Sequence, residues 1–246
     1  MDQISIGIFS DTHGNILALQ TILNYFKKIK VDSIFHLGDI VCMGPRPKEC
    51  FDLMLSTPNL NCILGNHDND YLNDNAVPPE LSHVTKEHKT FMFGILGEEY
   101  KKHVARFPLI VVNNYFGVKV AYMHYGLARE EDKRKNKKAV FRPIDDNLTP
   151  QAFDSMFEAI PADIVFFGHK HSPIDVVGKK VYCDVGSLGC FKKSFARGVV
   201  FTVKSDGTFN IERVHIPYDR NAVLKDMDER QIPASKFIQE YYFQCD

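Results

Sequence analysis

Residues 4–23 read ISIGIFSDTHGNILALQTIL. The β-branched run Ile4 to Phe9 has the composition of a buried strand, the polar stretch Ser10 to Asn15 interrupts it, and Ile16, Leu17, Leu19, Leu23 and Phe26 recur at helical spacing. This predicts a strand, a loop and a helix, with Asp11 and His13 in the loop. The same order returns at Ser33 to Leu37, with a helix expected after Pro47, and a further strand at Leu60 to Leu64 stops at Gly65. After Pro78-Pro79 a segment to Arg106 reads as helix broken near Gly94 and Gly97, and another helix is expected over Pro150 to Ile160. Further strands are expected at Leu109 to Val112, Gly117 to Met123, Ile164 to Phe167, Ile174 to Val177, Lys180 to Asp184, Val199 to Val203 and Phe209 to His215. Two helical stretches follow Pro217 and Pro233. The pattern is α/β with a β-rich second half. Neither a repeat nor a low-complexity linker divides it, so 1–246 reads as one domain.

The 246 residues are 44% hydrophobic and 25% charged, and 30 Lys plus Arg against 31 Asp plus Glu leave a formal charge of -1. A near-neutral chain lacks the basic field that binding to double-stranded nucleic acid relies on, so any anion site must be local. The first basic residue is Lys27, which leaves no positive region to open a secretory signal. The longest apolar runs fall far short of the roughly 18 residues of a membrane span. Six cysteines without a Cys-x-x-Cys pair read as reduced thiols. A cytoplasmic protein with no membrane partner is the expectation.

Four motifs fall in order at predicted strand ends: Asp11-Thr12-His13, Gly38-Asp39, Gly65-Asn66-His67-Asp68 and Gly168-His169-Lys170-His171, with His124 after a further strand. At equal residue frequencies a Gly-Asn-His-Asp arises by chance in roughly 1 in 1,000 chains of this size, and a Gly-His-x-His in about 3 in 100. Strand ends are where α/β proteins place functional side chains. His, Asp and Asn suit divalent first-row metals such as Mn, Fe or Zn. A single ion takes three or four such ligands. Asp11, His13, Asp39, Asn66, His124, His169 and His171 make seven, which points to two ions. Two cations about 3.5–4 Å apart need a shared anionic ligand, either Asp39 or Asp11.

With these motifs the sequence resembles the calcineurin-like metallophosphoesterases, in particular the compact bacterial and archaeal phosphoesterases related to diadenosine tetraphosphatases. The likeness covers nearly the whole chain and extends to Leu37-Gly38-Asp39-Ile40-Val41, Gly44-Pro45 and Val165-Phe166-Phe167-Gly168-His169. It implies a four-layer αββα sandwich of two mixed β-sheets flanked by helices. It also implies one metal on Asp11, His13, Asp39 and His171 and another on Asp39, Asn66, His124 and His169, with Asp39 bridging. Departures are Cys42-Met43-Gly44-Pro45-Arg46-Pro47 after the bridging Asp, His124-Tyr125-Gly126, and Asp184-Val185-Gly186-Ser187. None replaces a ligand, and all bear on substrate preference.

The resemblance implies a metal-dependent phosphatase or phosphodiesterase in which a metal-bridging hydroxide attacks phosphorus in line. Two cations, two carboxylates and that hydroxide leave about one positive charge facing the pocket by formal count. His67 diverges from Asn66 along the chain and takes the role of protonating the leaving oxygen or stabilising the transition state, with Asp39 as the other catalytic residue. Manganese is the ion expected to serve in vitro. Asp68 reads equally as a helix cap or as a residue orienting the centre, and His36, His83, His88, His103 and His215 as structural or surface residues. Residues 129–142 hold seven Lys or Arg and three acids, and are expected to be exposed and mobile. If they fold over the centre as a lid, Arg129, Arg134 or Arg142 would grip further phosphates, with Tyr125 and Phe191 offered to a base. The expected partner is then a small-molecule phosphate ester such as a nucleotide, for example diadenosine tetraphosphate. The other readings are a serine/threonine protein phosphatase, disfavoured because no Gly-Asp-x-x-Asp-Arg-Gly follows Asp39, and a non-catalytic scaffold of the same fold.

Overall fold

The computed structural model describes residues 2–74 and 85–244. Ten strands form two five-stranded sheets, ordered β10-β9-β1-β2-β3 and β4-β5-β6-β8-β7. The first comprises β1 (Gln3–Phe9), β2 (Ser33–His36), β3 (Leu60–Cys62), β9 (Phe195–Lys204) and β10 (Phe209–Pro217). The second comprises β4 (Ile110–Tyr115), β5 (Val118–Met123), β6 (Ile164–Phe167), β7 (Ile174–Val177) and β8 (Val181–Asp184). Both are mixed. β1, β2 and β3 run parallel with β9 antiparallel beside β1, and β5, β6 and β8 run parallel between antiparallel edges β4 and β7.

The alternation of each strand sorts its side chains into layers. Ile6, Ile8, Phe35, Leu37 and Val199 of the first sheet pack against Val120, Tyr122, Ile164 and Phe166 of the second, and the Phe35 and Tyr122 rings stack at 3.7 Å. Outside the first sheet lie α1 (Ile16–Ile29), α2 (Pro47–Ser56), α4 (Lys86–Leu96), α8 (Arg220–Glu229) and α9 (Ser235–Tyr241), whose apolar faces share one cluster with Phe9, Ile34 and Val200. Outside the second lies α7 (Pro150–Met156), through Phe153 against Val165, Phe167 and Tyr182. The result is helix, sheet, sheet, helix. A Cβ on Gly7 would stand 2.7 Å from the Phe26 ring, so its absence lets α1 lie close on β1.

Local chemistry explains most boundaries. Asn15 caps α1 by accepting from the Ala18 N–H at 3.0 Å, and Pro47 opens α2. Gly94 lies inside α4 without breaking it, and the helix stops instead at Gly97, whose φ of +59° suits glycine. Two short helices carry no apolar stripe in the sequence: α3 (Asn66–Leu72), the helix considered for Asp68 to cap, begins within the Gly-Asn-His-Asp motif, and α6 (Glu130–Lys135) lies within the basic segment. That segment is exposed over 129–131 and 133–134 but clasped at its base, where the Ala128 N–H donates to Val140 O at 2.9 Å and the Arg142 N–H to Gly126 O at 2.8 Å. No helix among the described residues is long and apolar enough to cross a membrane, and the described cysteines are unpaired.

Candidate metal centre

The carboxyl ends of the parallel strands of both sheets meet at one place. β1 delivers Asp11 and His13, β2 delivers Asp39, β3 leads into Asn66 and His67 at the start of α3, β5 delivers His124 and β6 delivers His169 and His171. The loops are laced across the sheets. Asp11 N–H donates to Gly38 O at 3.0 Å, His13 N–H to Asp39 O at 3.0 Å and Gly168 N–H to His124 O at 2.9 Å. Glycines permit the approach: a Cβ on Gly65 would stand 2.1 Å from Asp39 Oδ1, and one on Gly168 would stand 2.6 Å from Asp11 Oδ2.

All seven expected ligands converge. Asp11, His13 and His171 form one group and Asp39, His124 and His169 another, each with its ligand atoms within 4.8 Å of one another. Asp39 lies between them, its Oδ2 3.4 Å from His124 Nε2 and 4.0 Å from His13 Nε2. The Asn66 side-chain oxygen stands 2.9 Å from His124 Nε2. Of the two candidates for a shared carboxylate, Asp39 has imidazole nitrogens of both groups within 4.0 Å of one oxygen.

The hydrogen bonding tests whether cations fit. His13 Nδ1 contacts Val41 O at 2.9 Å and His124 Nδ1 contacts Leu37 O at 2.8 Å. A carbonyl only accepts, so both Nδ1 atoms carry hydrogen and each ring turns its Nε2 to the centre. His13 Nε2 faces His171 Nε2 at 3.0 Å. Asp11 Oδ1 is buried with no donor. Rotated by a half-turn, the Asn66 amide would point its nitrogen at three acceptors, His124 Nε2, Asp39 Oδ2 and His169 Nδ1, at 2.9, 3.3 and 2.8 Å. With its oxygen inward and His124 Nε2 unprotonated, four acceptors face one another, an arrangement that a cation among them stabilises. The donor set therefore fits divalent metal.

Electrostatics agree. Burial disfavours charge on Asp39, yet His124 and His67 outweigh it and hold the carboxyl well below the usual range. Burial likewise works against charge on His124, but Asp39 beside it raises the group to about 9. A proton on Nε2 and a metal ion would compete for that lone pair. Burial and the neighbouring His171 lower His13 to about 4, and burial with His124 lowers His169 to about 3, so both offer neutral rings.

Around the ligands, Asp68 fills both roles considered for it. Its Oδ2 accepts from the N–H of Gly65 at 3.2 Å, capping α3, and from that of Asp39 at 2.8 Å, while Oδ1 accepts from Ile40 N–H at 2.9 Å. His67 is buried, with Nε2 4.0 Å from Asp39 Oδ2 and no partner at Nδ1. Burial lowers it well below 6.5, so it carries a single ring N–H. His36 contacts Thr12 Oγ1 at 3.1 Å in the core. His88 is buried: it accepts the Met43 N–H on Nε2 at 2.9 Å, so Nδ1 donates to Pro233 O at 2.8 Å. His103 is partly exposed. His83 lies outside the described residues.

A cavity of 1430 Å³ opens over the centre. Lys89, Lys138, Arg142, Lys170, Lys192, Lys193 and Arg197 line it, against the carboxylates of Asp39, Asp70 and Asp132. Of the arginines expected to grip substrate, Arg142 lines the cavity, whereas Arg134 is not among its lining residues and Arg129 turns its guanidinium to Ser155 of α7. Tyr125 is fully buried, its ring 4.8 Å from that of His169 and its hydroxyl accepting from the Asp145 N–H, so its faces are closed to a base. Phe191 does line the cavity, with Arg197 stacked on it at 3.5 Å. His215 lines it as well.

Three lining features carried no usable signal or were passed over. Lys89, 2% exposed and bonded to Asp70 at 2.6 Å, belongs to no motif. Arg197, bonded to the carbonyls of His171 and Ser187 at 2.8 and 2.9 Å, is a charge inside an apolar strand, and that anomaly was legible. Tyr241 and Tyr242 close one wall from the C-terminal helix.

Comparison with known proteins gives the family to which this fold and centre belong. Residues 4–173 match the model of the calcineurin-like phosphoesterase family, and the chain belongs to that family. An uncharacterized protein of Methanocaldococcus jannaschii is 27% identical over 249 residues, covering 93% of each chain. In structure, a hypothetical protein from Pyrococcus horikoshii superposes with a TM-score of 0.76 at 16% identity, covering 99% of both chains. A metallophosphoesterase from Sphaerobacter thermophilus gives 0.69 at 21% identity, covering 94% of this chain and 96% of its own.

Proposed function

We propose that the protein is a dinuclear metal-dependent phosphoesterase, with Asp11, His13, Asp39 and His171 holding one divalent ion and Asp39, Asn66, His124 and His169 the other, and that its substrate is a nucleotide ester or anhydride. The observation that carries this reading is the meeting of two Asp/His groups, Asp11 with His13 and His171 and Asp39 with His124 and His169, each with its ligand atoms within 4.8 Å of one another. Two bound cations supply an attacking hydroxide at neutral pH, orient the phosphoryl oxygens and offset the charge that builds on them. The protein contributes the rest. Asp39 fixes the separation of the two groups, and Asp68 fixes Asp39 through its backbone. His67, neutral and buried next to the centre, donates its N–H to the leaving or a phosphoryl oxygen as charge develops there. No side chain has to act as nucleophile. Lys and Arg outnumber Asp seven to three in the cavity lining, which favours a substrate with more than one negative charge, as a dinucleoside polyphosphate or a phosphodiester with a charged leaving group has.

The test loads the protein with Mn, Fe or Zn in turn, counts bound metal, and assays a panel of monoesters, diesters and dinucleoside polyphosphates. Two equivalents of metal and hydrolysis of bis-p-nitrophenyl phosphate are expected, both lost or sharply reduced in Asp39→Asn. Tight binding of no metal, together with no turnover on any member, would end this reading.

A further inference from the structure

The C-terminal helix α9 and the residue that caps it carry a cluster of aromatic rings, of which Phe237 and Tyr241 are exposed and Tyr242 rests against the core with its ring toward the centre. Ile238 and Phe243 are buried and anchor it. Phe237 and Tyr241, one helical turn apart, remain 40% and 53% exposed, with their rings stacked at 5.4 Å. Tyr242 meets Tyr241 edge-on at 5.0 Å and Phe237 edge-on at 6.5 Å, and on its other side lies the proposed metal ligand His171, ring to ring at 5.7 Å. The helix is tied to the centre from behind, because the His88 ring joins Pro233 O at its entry to the Met43 N–H in the loop after Asp39. Tyr241 and Tyr242 line the same cavity as the centre, together with Lys192 and Lys193. Aromatic planes beside cationic side chains are the pairing that holds a base next to phosphate.

We propose that Tyr242, with Tyr241 at its rim, forms a subsite for the planar ring of a leaving group, so that the substrate is a nucleotide whose base lies against α9 while its phosphate reaches the His171 side of the centre. The proposal rests on the phosphoesterase reading and adds the part of the site that selects the group departing from phosphorus. Hydrolysis then proceeds with water adding to phosphorus, the P–O bond to the nucleoside or nucleotide breaking, and a proton passing to the departing oxygen. Stacking of one base is worth roughly tenfold in affinity, and the aromatic face rather than the hydroxyl supplies it.

The experiment uses the full chain loaded with manganese and measures calorimetric binding of AMP, ribose 5-phosphate and inorganic phosphate. AMP is expected to bind about tenfold more tightly than ribose 5-phosphate. Tyr242→Ala should abolish that difference by weakening AMP alone, Tyr242→Phe should keep it, and Tyr241→Ala should reduce it. Equal binding of AMP and ribose 5-phosphate by the native protein overturns the proposal. So does an equal loss for all three ligands in Tyr242→Ala, since that is the signature of a collapsed wall. Hydrolysis of bis-p-nitrophenyl phosphate by the same loaded protein is the separate control: its presence without AMP preference refutes the subsite alone, and its absence together with absent phosphate binding refutes the phosphoesterase reading beneath it.

Discussion

Five of the seven proposed ligands, Asp11, His13, Asp39, His169 and His171, have positive φ, from 46° to 75°. A left-handed backbone costs a non-glycine residue roughly 1–2 kcal/mol, and here it is offset by the lacing of N–H groups into neighbouring loops. Such strain collects where function requires side chains to converge. His67, by contrast, lies on the helical backbone of α3 and is buried near Asp39 without belonging to either ligand group. His67→Ala should therefore retain both metals and lose turnover by roughly 10² to 10⁴, most of all for poor leaving groups. Metal analysis beside kinetics on aryl and alkyl esters checks this, and unchanged turnover would remove His67 from the chemistry. The ligand types and the exception at His67 were legible because Asp-x-His, Gly-Asn-His-Asp and Gly-His-x-His spell them locally. Arg129 and Tyr125 were misleading, because a side chain's direction depends on what packs beside it: Ser155 for one and His169 for the other.

Among the elements, α4 and α9 show how supporting parts are held. His88 spans from α4 to both the Asp39 loop and the entry of α9, and burial lowers its pKa to about 4. An unfolded histidine titrates near 6.5. Since the folded value is the lower one, this contribution is complete above about pH 6.5 and fades as pH falls toward about 4. His88→Gln should lower the melting temperature at pH 7, with the gap to the native protein narrowing by pH 5. A gap independent of pH would show that His88 is not titrating as described. On the same helix Gly94 is exposed, and a Cβ there would meet nothing within 4 Å. Gly94→Ala should stabilise the fold by about 0.5–1 kcal/mol, read as a raised denaturation midpoint; a destabilised variant would contradict an ordinary helical backbone at this site. Strand periodicity located nearly every β element. The short helices α3 and α6 escaped it because seven and six residues of mostly polar sequence carry no apolar stripe.

For the whole molecule, the centre joins the two sheets: β1, β2 and β3 supply it from one and β5 and β6 from the other. Ions held by both sets of residues would tie the halves of the sandwich together. With free metal at about a hundred times its dissociation constant, binding only to the native state adds about 2.7 kcal/mol per site, or roughly 5–10 °C for a chain of this size. Chelator treatment should lower the melting temperature by that order, with recovery on adding manganese. No change would mean that the acceptor cluster does not hold ions. The sequence by itself determined the class of fold and the kinds of ligand, because strand composition, glycine stops and motif spacing act over a few residues. Only the tertiary structure decided which Asp and His side chains group together, which cationic side chains reach the cavity, and that residues of α9 close its wall. Those contacts join positions as far apart as 11 and 171 or 171 and 242. They are set by how two sheets pack face to face, which no local period records.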